Sequence, residues 1–145
     1  MKMLPRNYRF VVLNETGQTL DLSSNSANEK ITVTLRPWKI ASGVLSYGDE
    51  ISSAASTDLV DGDHEALGAI DNSVNLYMGA SGVLKVETDN ASAAGVVSLY
   101  VEHSTDGGST WPSDLTDFDP ELHADFVAQV DITSTLDAVE QVFEI

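Results

Sequence analysis

Apolar and polar residues alternate with a period of two along most of the chain, and helical periodicity is scarce. In KITVTLR, Ile31, Val33 and Leu35 fall on one face and Thr32, Thr34 and Arg36 on the other. VLKVET sets Leu84 and Val86 opposite Lys85 and Glu87, and SVNLYM sets Val74, Leu76 and Met78 opposite Asn75 and Tyr77. VVSLYVEH is apolar on both sides, with Val97, Leu99 and Val101 opposing Val96 and Tyr100, and so predicts a central strand covered on two faces. FVAQVDI and VEQVFEI predict two strands near the end. Between these runs lie turn formers: ETGQ, SSNSANE, ASG, GASG, TDNASAAG, TDGG and ITSTLD.

Strands roughly 8–15 residues apart, without amphipathic helices between them, predict an all-β protein rather than βαβ units. The expected architecture is an antiparallel β-sandwich or jelly roll forming one domain over residues 1–145, with residues 1–16 as an N-terminal arm or edge strand. Helical structure is expected only as one or two short turns. One candidate is the segment 52–70. The other is 119–126, where Asp119 suits an N-cap and Pro120 the first helical position.

Composition narrows the function more than the fold. A chain of 145 residues can bury a real core. No apolar run reaches the ~18 residues of a membrane helix. The first apolar stretch is broken by Pro5, Arg6, Asn7 and Arg9, unlike a secretory signal. Cysteine is absent, which removes disulfides, thiolate nucleophiles and cysteine-based metal sites together. The net charge is −16 and is unevenly spread: six of the seven Lys and Arg lie within residues 1–39 against three acids, whereas residues 40–145 hold one lysine against twenty acids. Such a body repels phosphate backbones, so nucleic acid is not an expected partner. A positive N-terminal third would instead dock on an acidic surface while the acidic remainder keeps the protein soluble.

Two segments carry candidate chemistry. Residues 104–111, STDGGSTW, resemble the Asp-box of sialidases and other β-propellers. A propeller needs several blades of about forty residues, and this single copy in a chain without internal repeats excludes one. The octapeptide has a structural use of its own as a hairpin. Asp106 would accept backbone N–H groups, and Gly107 and Gly108 would supply positive φ. Ser104 and Thr110 would form a cross-strand hydroxyl pair, Trp111 would fold into the core, and Pro112 would end the pairing. The second segment is RPWKI, where Arg36 and Lys39 flank Pro37 and Trp38. It reads either as an edge strand with solvated cations or as an interface anchor.

Other constellations are weak. DGDHE (61–65) and SDLTDFDPELHAD (113–125) are dense in acids but lack a calcium-loop pattern, and His64, His103 and His123 lack zinc-ligand spacing. No G-x-S-x-G elbow or P-loop occurs, so neither enzymatic activity nor a metal or other cofactor is expected.

Residues 69–114 resemble small structural proteins of tailed bacteriophages in the order of their parts. These are an apolar strand, a DN-x-S-x-x-G loop (Asp89, Asn90, Ser92, Gly95), a long strand and the STDGG hairpin. The stretch from YRFVVLNETG through ITVTLRPWKI is similar in style to capsid-surface proteins with an N-terminal arm. The resemblance implies a virion protein made in bacterial cytoplasm, most like a capsid decoration (cement) protein. Its partners would be the major capsid protein and further copies of itself in a homotrimer. The expected contact residues are Arg6, Tyr8, Arg9, Arg36, Trp38 and Lys39. Alternatives are another virion part (neck, tail or head fibre) and a carbohydrate-binding sandwich using Trp38, Tyr77 or Trp111.

Overall fold

A computed structural model describes residues 4–24, 28–133 and 138–145. Two antiparallel sheets pack face to face. The first contains β1 (Asn7–Glu15), β5 (His64–Ala66), β6 (Ile70–Asp71), β8 (Gly95–His103) and β9 (Asp125–Ile132). Its order is β5–β1–β8–β9, with β6 beside β5 along the same edge of β1. The second contains β2 (Lys30–Ala41), β3 (Val44–Tyr47), β4 (Ile51–Ala54), β7 (Gly79–Glu87) and β10 (Val139–Glu144). Its order is β10–β7–β2–β3, with β4 also paired to β2. The all-β sandwich expected from the alternating pattern is what forms.

The core lies between the sheets and is filled by the predicted inward faces. Ile31, Val33 and Leu35 of β2 and Leu84 and Val86 of β7 meet Phe10 and Val12 of β1 and Val97 and Leu99 of β8. Phe143 from β10 packs on Phe10 with ring centroids 5.8 Å apart. Its ring also lies where Gly82 would carry a Cβ, 2.5 Å from that position, so the ring packs directly against bare backbone. At Gly95 the Glu15 carbonyl occupies the Cβ position itself, and no side chain fits between β1 and β8 there.

Three expectations are corrected. Residues 4–16 are neither arm nor edge strand. Residues 1–3 lie outside the described chain, and β1 is interior, paired along its whole length to β8 and on its other side to β5 and β6. The reason is its apolar content on both faces. Phe10 and Val12 point into the core, while Val11 and Leu13 form a second cluster with Tyr100, Ala66, Phe118 and Ala124. The segment 52–70 has no helix. It forms β4, β5 and β6 around a turn at Gly62, whose φ is 86°. SVNLYM is a turn rather than a strand. Asn72 accepts from Tyr77 N–H at 2.7 Å and donates to the Tyr77 and Pro5 carbonyls, and it thereby holds Leu76 at φ 51°.

The helix signal at Asp119 is met. A single turn of helix, α1 (Pro120–His123), begins with the Asp119 carboxylate accepting from Glu121 N–H at 2.9 Å. Together with a 3-10 turn at Pro112–Asp114, it belongs to a crossover from β8 to β9 that covers the outer face of the first sheet. The outer face of the second sheet has no such cover among the described residues. This asymmetry positions the site.

Candidate functional site

STDGGSTW is a closed loop at the start of the crossover rather than a two-strand hairpin, because β8 pairs with β9 and not with residues 109–112. Asp106 is its centre. Its carboxylate accepts from the Ser104 hydroxyl at 2.6 Å, the Thr110 hydroxyl at 2.7 Å, and the Ser109 and Thr110 N–H groups at 3.1 and 2.9 Å. Ser104 and Thr110 therefore meet on Asp106 and not on each other. Gly107 and Gly108 take φ of 78° and 93°, as expected. The Ser104 hydroxyl, then the Thr110 N–H and hydroxyl, hold the Asp106 carboxyl well below the usual carboxylate range.

A group with a depressed folded pKa contributes stability above its unfolded pKa and loses it progressively as pH falls from there through the folded value. Asp106 should thus show no titration in an NMR pH series down to about pH 3, below the ~3.9 of a free aspartate. A midpoint near that free value would remove the loop's charge-assisted hydrogen bonds.

Trp111 is 7% exposed. Its indole N–H donates to the Gly108 carbonyl at 3.2 Å, and the Arg9 guanidinium lies 4.5 Å above its ring. Arg9 also pairs with Glu102, its direct cross-strand neighbour, with Nε 2.5 Å from Oε1. Ser113 donates its N–H and its hydroxyl to the same carboxylate, at 2.8 and 2.5 Å. Arg9 is thus the clamp that holds the crossover on the sheet, not a free contact residue. Tyr8 is also removed from the expected surface: it is 1% exposed, and burial pushes its phenol up to about 12. Trp111 offers no open ring to a sugar.

Arg36, Trp38 and Lys39 lie together at one end of the second sheet. The β7 pairing of β2 stops at Trp38–Gly79, and β2 runs on paired only with β3 through Trp38–Tyr47, Ile40–Leu45 and Ala41–Val44. Ser42 and Gly43, at φ 53° and 78°, close this ribbon with the two successive positive φ angles of a type I′ turn. Because Ile31, Val33 and Leu35 point inward, the alternation puts Arg36, Trp38 and Ile40 on the outer face, with Leu45 and Tyr47 beside them.

Trp38 covers the bare backbone of Gly79, whose Cβ position lies 2.5 Å from the indole. Ile40, Val44, Leu45 and Tyr47 are each at least half exposed. The Arg36 guanidinium is 5.4 Å from the Tyr47 ring centroid, and the Lys39 ammonium is 5.3 Å from that of Tyr77. Lys39 also donates to the Asn75 carbonyl at 3.0 Å. Neither cation makes an ion pair among the described residues. Arg6, exposed at the entry to β1, joins this end through its carbonyl, which accepts from Asn72 N–H at 2.6 Å. Four of the six expected contact residues therefore share one end of the molecule.

Sequence reasoning missed Ile40, Val44, Leu45 and Tyr47. The available signal was the run KIASGVLSY, two short apolar segments around a Ser-Gly turn. The acidic runs serve as backbone acceptors: Asp61 receives Gly17 N–H at 2.8 Å, and Glu65 receives the N–H groups of Ser56 and Thr57. Among the described residues no three His, Asp or Glu side chains converge to hold a metal. Compared with models of protein families, with curated proteins and with solved structures, the chain matches none.

Proposed function

We propose that this protein is a structural component of a tailed-bacteriophage particle, a decoration protein that binds the outer capsid shell where capsomers meet. The observation that carries the reading is the ribbon. In a protein of net charge −16 it gathers exposed apolar and aromatic side chains with two cations that lack carboxylate partners among the described residues. Aromatic and arginine side chains on a rigid scaffold are the usual anchors of protein interfaces. The order of parts in residues 69–114, strand, loop, long strand and Asp-centred loop, supports the same reading.

The mechanism is geometric. Each copy buries apolar surface at a junction, where a standard interface covers about 1,600 Å² in total. Many such contacts on one lattice add through multivalency. The partners are the major capsid protein and further copies of this chain in a homotrimer.

The test is to add the purified protein to procapsids and to expanded heads and measure bound copies and the shell's disruption temperature. Stoichiometric binding to expanded heads with a raised disruption temperature is expected, and Trp38→Ala with Tyr47→Ala should weaken it. Density for the protein inside the tail by cryo-EM, or no binding to either shell, overturns the reading.

A further inference from the structure

We infer that the ribbon's partner is a second copy of this chain, seated on the outer crossover between Pro112 and Phe126. The inference rests on the reading above in treating the ribbon as a contact surface: at a capsomer junction the ribbon acts by holding neighbouring copies of this chain together, and the contact does not need the shell to be viral.

The crossover is the ribbon's chemical complement. It exposes Leu115, Leu122 and Phe126, at 54%, 78% and 58%, beside the exposed acids Asp117, Glu121 and Asp125. The ribbon's outer face exposes Ile40, Leu45 and Tyr47 beside Arg36, while Lys39 and Val44 alternate onto its other face. Apolar surface can thus meet apolar surface while Arg36 meets carboxylates. That combination favours one register and suppresses like-charge alternatives. A stable contact needs about 800 Å² from each partner, roughly a tenth of the 7814 Å² that one copy exposes.

One copy cannot satisfy both patches itself. The ribbon's apolar face looks out from the second sheet, and the crossover lies on the outer face of the first, with the packed core between them. The contact is therefore head-to-tail, and such contacts close into rings or run on as filaments. With the two patches on opposite sides of a rigid sandwich, two copies cannot complete both contacts. Three copies form the smallest ring that can.

The experiment is sedimentation and light scattering of the isolated protein and of two charge-reversed variants. One carries Arg36→Glu, the other Asp117→Lys and Glu121→Lys, and each is first shown to keep the wild-type β-sheet spectrum and melting cooperativity. The wild type should associate at about 0.1 M salt, where charges act over about 10 Å, and weaken about tenfold or more at 1 M, where they act over about 3 Å. Each variant alone should be monomeric. Mixed, the two should associate as open pairs or even-numbered assemblies, which a three-membered ring cannot form, because the acidic ribbon of one fits the basic crossover of the other while the second pair of patches is native.

A wild type that stays monomeric, an assembly that neither variant disturbs, or variants that fail to associate when mixed would each overturn the inference. Binding to phage heads is read separately. A monomer that still adds to heads removes this contact and leaves the proposed function standing, and an assembly that ignores heads does the reverse.

Discussion

Replacing Arg9 with methionine is expected to cost about 3–5 kcal/mol of folding stability, the loss typical of removing one partner from a buried ion pair. The partner left behind is Glu102, only 1% exposed on the outer face of the first sheet. Without Arg9 its carboxylate keeps, among the described residues, only the N–H and hydroxyl of Ser113 as donors. The reverse change, Glu102→Gln, should cost less. Arg9 retains some solvent exposure and already reaches the Asp114 carboxylate at 3.1 Å, so its charge keeps a partner.

The double variant Arg9→Met with Glu102→Leu should recover more than half of the single loss, since replacing both members of a buried pair by apolar groups is often neutral. Urea midpoints at unchanged m-value measure all three. A single Arg9→Met variant within about 1 kcal/mol of wild type would place the pair in the class of exposed bridges and remove the clamp.

Trp111→Ala is expected on its own to cost about 3–5 kcal/mol, the range for deleting a buried aromatic ring. The ring fills the space between the Asp106-centred loop and the sheet, and it lies beneath the guanidinium of Arg9. Trp111→Phe separates the contributions. It keeps an apolar face under Arg9 but loses the bond to the Gly108 carbonyl, worth about 0.5–1.5 kcal/mol, and the part of the indole that a phenyl ring does not fill. Because Arg9 touches both Trp111 and Glu102, the alanine and Arg9 losses should fall short of additive. Denaturant melts of the two single variants and their combination measure the coupling. Full additivity would mean that ring and cation act independently.

Ring burial and ion pairing in this loop explain why the Asp-box pattern occurs here without a propeller. The eight residues close on themselves through Asp106, and Trp111 then fastens the closed loop to whatever sheet lies beneath it. Sugar chemistry is not needed for any of these contacts.

Much of this was legible in the alternation of residues. Strand faces such as Ile31, Val33 and Leu35 read correctly because a half-buried strand repeats every two residues whatever it packs against. The helix turn at Asp119-Pro120 and the positive φ of Gly107 and Gly108 read correctly because they depend on local sterics and local hydrogen bonds. SVNLYM misled for the converse reason. Its alternation is genuine, but the Asn72 side chain takes over the backbone bonds of Tyr77 and holds a turn.

The candidate site was half legible. Arg36, Trp38 and Lys39 stood out as cations and an indole in an acidic chain. Nothing local distinguished them from Tyr8 and Arg9, which share the same composition and lie in the same third of the sequence.

The sequence alone therefore determined the class of the fold, the central place of VVSLYVEH, the positive φ of Gly107 and Gly108 and the polarity of charge along the chain. All of these follow from periodicity, backbone stereochemistry or counting. The tertiary structure decided which nominated residues face solvent. Tyr8 is buried because its side of β1 faces the core between the sheets, and Arg9 is half-buried because a crossover more than a hundred residues away roofs the other side. Ile40 and Tyr47 are exposed because β7 stops pairing at Gly79 while β2 and β3 continue. Burial is a property of what packs across from a residue, and those neighbours come from distant parts of the chain.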